Sequence, residues 1–413
     1  MTAARWLTGA IILTGTVAAF AFHGILAAQS ASVPRMVPLT DGELTDRDRA
    51  LVASYVRGGE LTNDVRILLR HPDALPGVMP FWNYIAFEST LPAHDRAVLI
   101  MRTAWLARSQ YLWAKYATAT GALLTAADLQ RIAAGPAGPA AAFDVTLLRA
   151  ADGLHRQSFI DDLTWMALDA RYSTEQLLDA VFTVTEVTML AGIVNSLGVP
   201  IDGAFTARPP GWALTGNVVR THPTLSLPRI PPLEQTFWTG DLRALLDPDA
   251  TGRPVAAIYR TLAQHPALYS PRQELSEYIR TKTTLSARIR ELAILRIGAL
   301  CGSDYEWGAH VPAGGAAGLT VAEIRRIATT PPASSPAISL PGWNQPDAMV
   351  IRAVDELFAR DSISDAVWND LSAALDRRQR IDLLITIGGY RMVSAALNTI
   401  GVPLEQGNER IPH

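Results

Sequence analysis

The same pattern of residues occurs twice in this chain, so whatever fold it adopts has to accommodate that pattern twice. LPAHDRAVLIMRTAWLARSQYLWAKYATATGALLTAADLQRIA, from Leu91, aligns with LSARIRELAILRIGALCGSDYEWGAHVPAGGAAGLTVAEIRRIA, from Leu285, at an offset of 194 with one residue inserted before Leu319. Arg35-Met-Val-Pro-Leu returns as Arg229-Ile-Pro-Pro-Leu, and His71-Pro72 as His265-Pro266, at the same offset. NSLGVP from Asn195 returns as NTIGVP from Asn398 at an offset of 203, the growth coming from the Pro- and Ser-rich stretch PPASSPAISLPGW, which reads as a surface loop.

Stretches such as RELAILRIGAL and QRIDLLITIGGYRMVSAALNTIG repeat apolar residues at helical spacing, and alternating strand patterns bounded by turns are missing. The expected fold is all-α, as two tandem helical domains. Thr125 and Thr320, each followed by an acid three residues later, read as N-caps, with similar starts at Ser173 and Ser286. Each half then reads as a bundle of about six helices, centred on the helix pair around residues 286–317. With 413 residues, 49% of them hydrophobic, the chain is long enough for two cores.

The expected division is a signal peptide or membrane anchor at 1–30, a degenerate domain at 31–205, a Pro- and Gly-rich linker at 206–232 and a second domain at 233–413 that carries the site. In the first segment Arg5 precedes a long apolar run ending in small residues, the layout of an export signal. A periplasmic or secreted protein is expected, with a single N-terminal transmembrane anchor as the alternative.

Charge argues against nucleic acid as a partner: the net charge is −3, the only lysines are Lys115 and Lys282, and no basic run occurs. The single cysteine, Cys301, excludes an intrachain disulfide, a CxxC redox pair and a cysteine-rich zinc site within one chain.

The repeat supplies an internal alignment that separates architecture from chemistry. Residues kept in both halves, such as Arg96 with Arg290, Arg102 with Arg296, Tyr111 with Tyr305 and Trp113 with Trp307, read as structural. Arginines on such apolar helices are expected to hold carboxylates or helix-end carbonyls, since a buried guanidinium without a partner is prohibitively costly. Three polar residues belong to the second half alone: Glu291 stands where the first half has Ala97, Glu306 where it has Leu112, and His310 where it has Tyr116. The first half therefore reads as a domain whose site has closed.

Glu306 and His310 share a helix face at i and i+4, and Glu291 lies on the preceding helix. A carboxylate beside an imidazole orients the ring for general acid/base work near neutral pH, and a carboxyl in an apolar setting is driven toward its proton-donating form. The bland reading is a solvated helix pair, and a further one is a metal site built from two carboxylates and a histidine. Ser303, Tyr305, Trp307 and Cys301 are candidate pocket neighbours, as are Tyr116 and Trp113 of the first half. Cys301, opposite Ala107, also reads as a packing position. His71, His265, His155 and His222 have no acidic partner in a motif and read as structural or exposed.

RELAILRIGALCGSDYEWGAHVPAGGAAGLTVAEI resembles the carboxymuconolactone decarboxylase and alkyl hydroperoxidase D (AhpD-like) superfamily. The resemblance implies small all-α domains that assemble into trimers, hexamers or fused pairs, hence a homo-oligomer. In the hydroperoxidase branch a glutamate precedes CxxCxxxH. Here Ser303 and Glu306 stand at the cysteine positions, His310 and Glu291 stand in their family places, and Cys301 falls two positions early. The Glu-x-x-x-His spacing of the decarboxylase branch matches Glu306 and His310. The resemblance implies a cofactor-free lyase or isomerase acting on a small carboxylated or lactone-type carbonyl compound; no bound metal is expected, since no fourth ligand stands beside the two carboxylates and the histidine. His310 would then be the acid or base, Glu306 would orient it and Glu291 would place or protonate substrate. The alternatives are a peroxiredoxin-like antioxidant activity and a non-catalytic helical binding protein.

Overall fold

The computed structural model describes residues 34–57, 61–138, 142–211, 222–247, 249–332 and 340–412. The N-terminal signal or anchor expected at 1–30, and residues 212–221 of the expected linker, lie outside the described residues. Among the described residues every regular element is a helix and no strand occurs, so the fold is all-α.

The helices follow the sequence repeat. Ala93–Leu106 has its counterpart in Ala287–Leu300, Gln110–Ala119 in Asp304–Ala316, Ala126–Ala134 in Val321–Thr329, Ala142–Gln157 in Gln345–Arg360, and Thr174–Leu197 in Arg377–Ile400. Nine α-helices are described on each side, against about six expected. The surplus is in pieces such as Asn63–Leu68, Gly240–Leu246 and Ala257–Leu262, six or seven residues long, too short to display a helical period. Starts are set by side chains that satisfy the free backbone N–H groups. Thr125 with Asp128, Thr320 with Glu323, Ser173 with Gln176 and Asp376 with Gln379 all form complete capping boxes.

The two longest helices, Thr174–Leu197 and Arg377–Ile400, pack against each other at the centre. Each is long and apolar enough to cross a membrane, yet the apolar window of the first is wholly buried inside the protein and that of the second very nearly so. Gly388 permits the close approach: a Cβ there would fall 2.6 Å from Cγ of Met189. At their ends Gly198 and Gly401 take the left-handed conformation, with φ of 64° and 77°.

Polar groups cross between the sequence halves in matched pairs. His71 Nε2 lies 3.2 Å from Asp382 and 3.0 Å from the Tyr278 hydroxyl, which also donates to Asp382. In the mirrored arrangement His265 Nε2 lies 3.1 Å from Asp179 and 2.7 Å from the hydroxyl of Tyr84, which donates to Asp179 at 2.7 Å. His71 and His265 are thus buried and paired to acids, not exposed. No local spacing reports these partners, because each lies in the other half, 311 and 86 positions away. Arg35 donates to the carbonyls of Ser196 and Ile363, and Arg229 to those of Ile160 and Thr399. The described residues accordingly form one compact unit. The described end of the expected linker is packed into it, with His222 stacked on Phe159 at 5.3 Å.

Arg102 makes two bonds to Asp152 and two to the carbonyls of Ile132 and Ala133. Arg296 repeats this with Asp355, Ile327 and Thr330. Each guanidinium joins a carboxylate to the end of a neighbouring helix, the role that burial demands of it.

Candidate active site in the second half

Ser286 caps the helix Ala287–Leu300 by accepting from the N–H of Ile289. The helix stops at Cys301, Gly302 turns the chain with φ of 66°, and Ser303 caps Asp304–Ala316, which packs back against its predecessor. This turn brings Glu291 to His310: Oε2 lies 2.7 Å from Nδ1. The other nitrogen of the ring, Nε2, faces Glu306 at 3.6 Å, an ion-pair rather than a hydrogen-bond distance. Both carboxylates are buried, whereas the His310 side chain keeps 15% of its surface. The imidazole is therefore the solvent-reaching member, and the pair is not the solvated one that i,i+4 spacing alone would allow.

The two acids are driven apart electrostatically. Burial pushes the Glu306 carboxyl above the usual range, since nearby His310 and Arg272 offset the desolvation only in part and Glu291 adds to it. Burial acts on Glu291 too, but hydrogen bonds from His310 and Arg290 outweigh it and hold this carboxyl below its ordinary value. An ionised Glu291 accepts the Nδ1–H of His310, which fixes the tautomer with Nε2 free to exchange a proton. Two carboxyls shifted in opposite directions then flank one imidazole ring.

Two further residues belong here that the sequence reading passed over. Tyr390 sets its ring edge-on against His310, with centroids 4.9 Å apart. Arg272, buried on the helix Pro266–Glu277, acts electrostatically on Glu306 and Tyr390, and its one hydrogen bond among the described residues goes to Gln273 Oε1 at 3.0 Å. Both could have been found by the comparison that yields Glu291, because Val78 and Val187 occupy their places in the first half.

Among the described residues the remaining candidates make no hydrogen bond to the side chains of Glu291, Glu306 or His310. Ser303 is spent as the N-cap of Asp304–Ala316. Tyr305 turns to another face, donating to Glu405 at 3.1 Å and accepting from the N–H of Ile258 at 3.3 Å. Trp307 fills the core, like Trp113. Cys301 is buried, and desolvation pushes its thiol up to about 11, while its carbonyl accepts from Asn398 at 2.8 Å. Tyr116 lines a cavity of about 310 Å³ within the first half itself, beside Ala97. The counterpart site is therefore not filled in. Among the described residues no three His, Cys, Asp or Glu side chains are grouped so as to hold a metal ion.

Residues 266–337 match the model of the carboxymuconolactone decarboxylase family. The matched span contains Arg272, Glu291, Glu306 and His310. No curated protein matches the chain significantly.

Proposed function

We propose that the second half is the catalytic half of an exported, cofactor-free lyase or isomerase of the carboxymuconolactone decarboxylase type, and that the first half is a duplicated helical domain without the acid/base residues. The substrate would be a small carboxylated or lactone-type carbonyl compound. The observation that carries this reading is the 2.7 Å contact of Glu291 with His310 Nδ1, which leaves Nε2 toward the buried Glu306.

In decarboxylation the substrate's C–C bond breaks, CO₂ leaves and the electron pair passes into the adjacent carbonyl system as an enolate. A proton then moves from Glu306 through His310 Nε2 to the carbon, and the next substrate or solvent proton restores the acid. Arg272, a buried cation at this cluster, is suited to hold the substrate carboxylate or the enolate oxygen. The thiol of Cys301, neutral and buried, favours this over a peroxide-reducing reading.

The test is CO₂ release by the full-length protein from a panel of unsaturated lactone acids. Turnover that drops in kcat in Glu291→Gln, and rises in KM in Arg272→Gln, supports the reading. A wild-type protein that neither turns over nor saturably binds any acid of the panel refutes it.

A further inference from the structure

The first-half cavity is walled by Met79, Trp82, Phe87, Ala97, Ile100 and Leu190, with Arg96, Lys115 and Tyr116 among its polar groups. A mostly apolar space of about 310 Å³ with few convergent polar groups has the character of a small-molecule site.

Arg96 selects the ligand. Its counterpart Arg290 is engaged, with Nε 3.1 Å from Oε1 of Glu291. In the first half the place of Glu291 is taken by Ala97, which carries no carboxylate and lines the cavity. Among the described residues no carboxylate lies within ion-pair distance of Arg96, whose hydrogen bond runs from Nη1 to the Ser89 carbonyl at 3.3 Å. The guanidinium is half-buried, and the field of Asp179, beyond ion-pair distance, offsets its desolvation only in part, so an incoming anion relieves the remaining cost. Lys115 is already committed to Asp64.

Glu186 lies one helical turn before Leu190, on the same face, with Oε1 buried and without a hydrogen-bond partner among the described residues. Burial pushes its carboxyl up to about 8, so near neutral pH it keeps a proton and sets no negative charge against an anion.

We propose that the first half binds a compact apolar monocarboxylate, its carboxylate on Arg96 in the place that Glu291 fills in the second half, and its hydrocarbon among Trp82, Phe87, Ile100 and Leu190. The cavity, about 310 Å³, lies at the small end of the range for ligand pockets, which suits a compact ligand. Binding here does not require turnover in the second half.

The experiment is titration of the full-length protein with benzoate and octanoate, and with uncharged methyl benzoate, followed by calorimetry and tryptophan fluorescence. One saturable site for the acids is expected. Arg96→Gln should weaken benzoate at least tenfold and leave methyl benzoate unchanged, whereas Arg96→Lys should keep most of the affinity. Ala97→Glu, which rebuilds the Arg290–Glu291 pairing, should abolish acid binding, and His310→Ala should not alter it. Failure of both acids to bind, or equal benzoate affinity in the wild type and Arg96→Gln, overturns the proposal. So does loss of binding in His310→Ala alone, which assigns the acid to the second-half site.

Discussion

His310 Nδ1 and Glu291 Oε2 are 2.7 Å apart although 19 positions separate the residues, and the contact turns the free nitrogen of the ring toward Glu306. Each of the three has an apolar or bulkier neutral counterpart in the first half, which retains the supporting helices.

As the proton donor of the proposed reaction, Glu306 should set its alkaline side. Its carboxyl is raised by burial, so the proton it donates is present at low pH and lost as pH rises through that elevated value. A plot of kcat against pH should fall on its alkaline limb in the wild type, and Glu306→Gln should lower kcat roughly 10²–10⁴-fold, the usual range for loss of a general acid, and flatten that limb. An unchanged limb in the variant removes Glu306 from the proton path.

Cys301 should be chemically silent. With the thiol pushed up to about 11 by desolvation, iodoacetamide at pH 8 should label it slowly in the native protein and rapidly in urea, as mass spectrometry would register. Rapid native labelling with loss of activity would restore the redox reading.

Arg296 should be among the costliest residues to remove. Arg296→Met takes away both bonds to buried Asp355 and those to the carbonyls of Ile327 and Thr330, and should cost about 3–5 kcal/mol in urea denaturation. Tyr84→Phe and Tyr278→Phe, which remove the hydroxyls that bond Asp179 and Asp382, should each cost about 1–3 kcal/mol. Similar losses for the two tyrosines would show that the mirrored networks carry similar weight.

Glu186 should make stability fall with pH. Its carboxyl lies near 4.5 when unfolded and about 8 when folded, so the protonated native form is favoured at low pH and that advantage disappears as pH rises through about 8. Glu186→Gln, neutral throughout, should gain on the wild type across this window by up to roughly 5 kcal/mol. A gap that does not vary with pH would mean that Glu186 is ionised or solvated in the native state.

The helices could be read from short-range information, apolar periodicity and caps, and the grouping of Glu291, Glu306 and His310 from residues that differ between the two halves at a fixed offset. Arg102 and Arg296 were legible for the same reason, since physical cost alone requires buried guanidinium groups to find carboxylates or helix ends. The acid partners of His71 and His265 were not legible, because they are supplied across the repeat, where no local spacing reports them. Nor was the first-half cavity. Loss of polar residues reads as closure, yet Ala97 in place of glutamate leaves space that its neighbours do not fill.

The central claim, that the second half works through His310, is tested most directly by the rate of CO₂ release by His310→Ala on whichever lactone acid the wild type decarboxylates. The expected result is a fall in kcat/KM of roughly 10²–10⁴-fold with an unchanged melting temperature, as loss of a general acid or base produces. A folded His310→Ala protein with the full wild-type rate would contradict it.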